Sequence, residues 1–331
     1  MTLMLGIEST AHTMSCGLIR DDTILADVRS IYRPPDGEGI HPREASRHHV
    51  TEGPRVLSEC MAKAGVGIYD VDAISYAAGP GLGPCLRVGA VMARALSTHY
   101  SIPLYPVHHA IGHIDLGRLL TGAADPLVLL VSGGHTMILA FLDGQWRVFG
   151  ETLDITLGQL LDQFGRSLGL ASPCGGEIER MALSDMSYVE LPYTVRGNDV
   201  SFSGLLSAAK SAAASSGGPA VCHSLQETSF AMICEAVERA LSLTGKKEFM
   251  IVGGVAANRR LSHMLEEACR IHGSSFHAVP PKYAGDCGAQ IAATGVLEAS
   301  VNRPVQIRDA FVRQAWRLDS VRINYSSSMA S

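Results

Sequence analysis

Two histidines four positions apart, His109 and His113, raise the question of metal chemistry. On a helix that spacing puts both imidazoles on one face, within reach of a single ion. Neutral imidazole suits zinc or iron. Pairs of surface or capping histidines share the same spacing, so spacing alone leaves both readings open. A metallopeptidase of the HExxH type needs a glutamate directly after the first histidine to activate water, and here Ala110 stands there. Peptidase chemistry is therefore disfavoured. A third ligand could be Asp286, in the glycine-flanked turn Gly285-Asp286-Cys287-Gly288 ahead of the apolar stretch 289–297. An aspartate in such a place also serves as a helix N-cap. Two imidazoles and one carboxylate would leave open positions for substrate oxygens, as in facial iron sites, with Cys287 a less economical ligand.

A second set of residues is suited to a nucleotide. Ser132-Gly133-Gly134-His135-Thr136 at a hairpin tip presents consecutive N–H groups and hydroxyls, a cradle for phosphate oxygens or simply a tight glycine turn. Gly253-Gly254-Val255-Ala256-Ala257-Asn258 follows the run 249–252, so a strand feeds a glycine turn and then a helix. Asn258 could hydrogen-bond a base or ribose there, or cap the helix. The segment is neither a P-loop nor a GxGxxG. Between these lie Asp162, on an expected helix, and Pro173 to Glu179, which includes Gly175 and Glu179. Carboxylates beside a nucleotide bind hydroxyls or threonine-like groups better than phosphates, since like charges repel. Their bland alternative is solvent exposure.

These residues need a scaffold, and 331 residues are enough for two domains. Three segments, 3–19, 127–141 and 249–258, are β-rich apolar runs that break at glycine or small polar residues. In the first two the run resumes, giving a β-hairpin with a polar tip, so the same unit occurs twice. Expected helices span 42–64, 89–98, 109–120, 157–170, 225–242 and 258–272. Segments 32–40 and 211–219 are expected loops. The pattern implies two similar α/β lobes around a cleft, where ligands usually sit. The expected division is 1–125 plus 292–325 against 126–291, with a frayed tail at 326–331.

Composition narrows the functional classes. A formal net charge of -5 and a pI near 6.2 give no global basic field, so a nucleic-acid partner requires a local patch or a basic helper subunit. Eight scattered cysteines without a CxxC pair point to reduced thiols in a cytoplasmic protein. The first residues carry no signal-peptide pattern, and no apolar run suits a membrane span.

Several motifs in order, spread over nearly the whole chain, resemble one family. They are 6–13 (Gly-Ile-Glu-Ser-Thr-Ala-His-Thr), 79–84 (Gly-Pro-Gly-Leu-Gly-Pro), His109 to His113, Val131-Ser132-Gly133-Gly134, 150–154, 201–204, 226–228 and 253–258. The family is that of the universal tRNA threonylcarbamoyltransferases, TsaD in bacteria and the catalytic subunit of the KEOPS complex elsewhere. The resemblance implies an actin/Hsp70-like (ASKHA) fold of two RNase H-like lobes. It also implies one divalent metal ion, iron ahead of zinc, on His109, His113 and Asp286. It implies nucleotide-substrate contacts at Leu130, Val131, Ser132, Gly133, Gly134, Asp162, Gly175, Glu179 and Asn258. The implied substrate is threonylcarbamoyl-AMP, with ATP or AMP able to occupy the same site. The acceptor would be the adenosine beside the anticodon of tRNA, and the partners a kinase or ATPase subunit and small accessory subunits.

The chain also departs from the family pattern. Leu130 stands where archaeal members often have a metal-binding tyrosine, and His135 replaces a common asparagine. Pro173-Cys174-Gly175-Gly176 and the stretch 159–162 differ as well. Segment 40–49 and the first hairpin favour the KEOPS branch. Rival readings are a sugar-kinase-like or ATPase member of the same fold, and a nucleotide-binding scaffold without catalysis.

Overall fold

A computed structural model describes residues 2–35 and 37–325. It divides into two compact units. One comprises the residues up to Arg33, Ile40–Gly122 and those from Asp286 onward; the other comprises Pro34–Gly39 and Ala123–Gly285.

The first unit opens with strands β1 (Leu3–Glu8), β2 (Thr13–Arg20) and β3 (Thr23–Ile31). Helix α1 (Pro42–Ala64), strand β4 (Ala73–Gly79), helix α2 (Gly83–Tyr100), strand β5 (Leu104–His108) and helix α3 (His109–Thr121) follow. The second unit begins with β6 (Leu127–Val131), β7 (Thr136–Leu142), β8 (Gln145–Glu151), α4 (Leu157–Ser167) and α5 (Gly175–Ala182). It continues through the short pair β9 (Val195–Arg196) and β10 (Asp199–Val200), then α6 (Ser203–Ser216) and α7 (Gly218–Thr244). It closes with β11 (Glu248–Val252), α8 (Arg259–His272), β12 (Ser275–Ala278) and α9 (Pro281–Ala284). The chain then returns to the first unit as α10 (Gly288–Val301).

The two sheets repeat one design. Their orders are β3-β2-β1-β4-β5 and, from the corresponding edge, β8-β7-β6-β11-β12. In each, a three-stranded antiparallel meander meets two parallel strands. The inner strands are apolar because helices cover both faces of such a sheet, and every residue of β1 and β6 is buried. In the first unit α10 lies directly on β1 and β2. A Cβ on Gly17 would fall 2.2 Å from the Ala289 nitrogen, and one on Gly288 would fall 2.1 Å from the Gly17 nitrogen. Only glycine permits that approach.

Helix α1 spans its expected residues, since Pro42 starts it and Gly65, at φ 68°, ends it. Other bounds differ for local reasons. Helix α2 begins at Gly83 rather than 89, with Pro84 in its first turn. Helix α4 stops at Ser167 rather than 170, ahead of Gly169 at φ 81°. The expected loop 211–219 is mostly helix: α6 runs to Ser216, Gly217 at φ 84° breaks the chain, and Pro219 sits in the first turn of α7. Asn258 caps α8 from outside it. Because α10 is one continuous helix, the return to the first unit falls at Asp286 and not at 292. The expected tail 326–331 lies outside the described residues. Among those residues no helix is long and apolar enough to cross a membrane.

Candidate functional site

In the first unit, β5 ends at His108 and α3 begins at His109, so His109 and His113 occupy the first turns of a buried helix face. The loop into α10 brings Asp286 against them. Asp286 Oδ1 lies 3.3 Å from His113 Nε2 and 3.6 Å from His109 Nε2. One ligand atom from each of the three residues falls within 4.8 Å of the others. The imidazoles meet edge to face, with centroids 4.8 Å apart. Asp286 does not cap α10; its carboxylate turns to the histidines.

The other nitrogen of His109 is held from behind. Its Nδ1 lies 2.9 Å from Glu8 Oε2, at the end of β1, and Glu8 is fully buried. An ionised carboxylate only accepts, so the Nδ1 proton points to Glu8 and Nε2 is left facing Asp286. Burial by itself lowers the His109 pKa, but Glu8 and Asp286 outweigh it and hold the ring at about 9. At His113 burial prevails over the contacts with Asp286, and the pKa is lowered. Burial would raise Asp286, yet the charge of His109 and the hydrogen bond from His113 push it far below the usual carboxylate range. The centre therefore pairs an anionic oxygen with two imidazole nitrogens, a donor set suited to a borderline divalent cation.

Sequence reasoning missed how Asp286 is positioned. The first N–H groups of α10 are bound by side chains from the meander: Gly288 N donates to Ser15 Oγ at 2.8 Å, and Ala289 N to Asp27 Oδ1 at 3.1 Å. Asp27 in turn pairs with Arg29 at 2.6 Å. In the sequence Glu8 stands out only as part of the motif 6–13. Nothing local signals these contacts, because the partners are far apart in the chain.

In the second unit the corresponding residues are hydrogen-bonded to neighbouring protein groups. Ser132 Oγ accepts from Gly134 N at 3.2 Å and His135 N at 3.0 Å, so it shapes its own turn. Asp162 pairs with Arg166, and its other oxygen accepts from Ser172 Oγ at 2.6 Å and Cys174 N at 3.1 Å. It thereby anchors the entry to α5, whose first residue is Gly175. Glu179 accepts from Arg259 N at 2.8 Å, at the start of α8. Asn258 accepts from Leu261 N at 3.0 Å and donates to Gln226 at 2.7 Å, the capping use of the two that sequence allowed. Leu130 and Val131 are fully buried in β6 and offer no exposed side chain. Backbone is accessible instead: a Cβ on Gly133, Gly175, Gly176 or Gly254 would meet nothing within 4 Å.

The model of the tRNA N6-adenosine threonylcarbamoyltransferase family matches residues 23–293. The enzyme of that name from Caldivirga maquilingensis is 46% identical over 330 residues, which cover 99% of this chain and 100% of that protein. Its counterpart from Staphylothermus marinus is 48% identical over 336 residues, covering 96% and 98% respectively. Among solved structures, HypF from T. kodakarensis aligns with a TM-score of 0.64 at 13% identity, over 90% of this chain and 48% of that one. That likeness concerns the fold alone, which is the actin/Hsp70-like (ASKHA) α/β fold with its repeated RNase H-like sheet. With a family match over most of its length and near-full-length relatives at almost half identity, this chain belongs to the tRNA N6-adenosine threonylcarbamoyltransferases, acyltransferases that act on tRNA.

Proposed function

We propose that the chain transfers a threonylcarbamoyl group from threonylcarbamoyl-AMP to the N6 amine of the adenosine beside the anticodon, in tRNAs reading codons that begin with adenine. The observation that carries this reading is the convergence of His109, His113 and Asp286 on one buried point. In the transfer, N6 forms a bond to the carbamoyl carbon. The bond from that carbon to the phosphate oxygen of AMP breaks, and the amine loses a proton as AMP departs. No side-chain nucleophile is needed, because the acyl group passes directly between substrates.

One divalent ion, iron ahead of zinc, would be held by His109, His113 and Asp286. Bound there, it would supply Lewis-acid stabilisation of charge developing on a substrate oxygen. Glu8 fixes the His109 ring and its tautomer, while Ser15 and Asp27 fix the start of α10 and hence Asp286. In the second unit, the turn Ser132–Gly134 and the open backbone at Gly175 and Gly254 suit the adenylate, shaped by Asp162, Glu179 and Asn258. ATP or AMP would fit the same backbone. The acceptor adenosine must be unstacked to react, which an anticodon loop permits at low cost. Segment 40–49 and the first hairpin favour membership of a KEOPS-like complex; the family and the net charge of -5 favour a kinase or ATPase subunit and small accessory subunits as partners, and the scattered cysteines favour the cytoplasm.

The test is nucleoside analysis of unmodified tRNA incubated with this chain, its cognate partners and freshly generated threonylcarbamoyl-AMP, with Asp286→Ala in parallel. Product from the native chain and a loss of at least about a hundredfold in the variant are expected. Equal product from both would remove Asp286 from the reaction, and product from neither would overturn the proposed transfer.

A further inference from the structure

The substrate is a polyanion, yet the chain carries a formal net charge of -5, so positive charge has to be concentrated locally. One surface of the first unit does this. Helix α2 carries Arg87 and Arg94, seven positions apart and so on one helix face, and contains no Asp or Glu. After α10 an irregular segment, 303–322, contains five arginines against two aspartates. This segment runs along β5 and β4. Val305 N donates to Leu104 O at 2.9 Å, the Tyr76 hydroxyl to Phe311 O at 3.1 Å, and Arg313 N to Ala78 O at 2.6 Å.

That path delivers Arg313 to α2. Gln314 Oε1 and Arg87 Nη1 both flank Gly83, at the first turn of the helix. Arg87, Arg94 and Arg313 have no ion-pair partner among the described residues. Arg313 instead lies over the Trp316 ring, 4.7 Å from its centroid. Arg303 and Arg322 are exposed on the same segment, and Phe311 is 65% exposed. The segment also reaches the metal-ligand helix: Trp316 O lies 3.1 Å from His108 Nε2, and His108 directly precedes His109.

Neighbouring cations without carboxylates repel one another, and a phosphodiester backbone relieves that repulsion. We infer that α2 and segment 303–322 form a tRNA-backbone surface, with Arg87, Arg94 and Arg313 contacting phosphates and Phe311 offering its ring to an unpaired base. This rests on the chain acting on tRNA and not on the metal ligands.

The test is equilibrium binding of an unmodified tRNA transcript to the full chain, without metal or nucleotide, from about 50 to 200 mM salt. The triple variant Arg87→Gln, Arg94→Gln, Arg313→Gln is compared with a control triple in the second unit, Arg147→Gln, Arg180→Gln, Arg270→Gln. The first triple is expected to bind at least about tenfold more weakly at 100 mM salt, with a salt slope smaller by roughly two to three, while the control binds as the native chain does. If the first triple does not fold, Arg303→Gln with Arg322→Gln is expected to reduce the slope by roughly one to two. His113→Ala is expected to bind tRNA normally, which separates this surface from the metal centre. Unchanged binding by the arginine variants, as an acidic protein occupant would give, overturns the inference. So does equal loss in the control, or no binding by the native chain.

Discussion

The two hairpins that open the two sheets are built alike and do different things. At the tip of the β1–β2 hairpin, Glu8 reaches out of its own segment to His109, about a hundred residues on, and becomes part of a polar centre. At the tip of the β6–β7 hairpin, Ser132 folds back on Gly134 and His135 and leaves open backbone. The difference extends through each unit. In the first, side chains point at one another around His109, His113 and Asp286. In the second, Asp162, Glu179 and Asn258 are bound to loop and helix backbone. A duplicated scaffold thus gathers ionisable side chains in one half and leaves open backbone in the other.

The sharpest way to break this comparison is at Glu8. Glu8→Gln keeps the size of the side chain and removes the charge behind His109, and is expected to weaken divalent-metal affinity ten- to a hundredfold. Competition with a chelating dye measures it, and an unchanged affinity would show that the hairpin tip does not serve the centre. Asn258→Ala tests the other half. Losing the cap on α8 is expected to lower stability by about 1 kcal/mol in chemical denaturation while leaving metal affinity unchanged. A loss of metal together with stability would dissolve the distinction between the units.

A pH series sharpens it further. In the metal-free protein His109 is held at about 9, the carboxylates of Glu8 and Asp286 overcoming burial, against about 6.5 when unfolded. That contribution is fully present below about 6.5 and is lost as pH rises through about 9. The thermal midpoint of the metal-free chain is expected to fall by a few degrees across that window, and by less in Glu8→Gln. The smallest effect belongs to Gly175→Ala. With open space around it, stability should change by no more than about 0.5 kcal/mol, and a larger loss would mean that the α5 entry is packed more tightly than its geometry indicates.

How much of this could be read in advance depended on how local the cause was. The hairpins were legible because apolar runs broken by glycine are local, and α1 because Pro42 and Gly65 mark its ends. The helix α6 was read partly as loop: its serines and alanines show no apolar stripe, and the carboxylate that binds its start, Asp154, lies 49 residues upstream of Ser203. The pairing of His109 with His113 was visible as spacing. Whether Asp286 capped α10 or faced them was not, because the answer lies in Ser15 and Asp27, which take over the helix start from strands β2 and β3. The roles of Asp162 and Asn258 were ambiguous for the same reason: a polar residue shows its type in the sequence, but not its partner.

The most direct measurement is the metal content of the purified chain after exposure to ferrous iron or zinc, for the native sequence and for His113→Ala and Asp286→Ala. One ion per native chain, with less than about a tenth retained in either variant, is the expected result. One ion per chain in all three would contradict the assignment of His109, His113 and Asp286 as the centre on which the function rests.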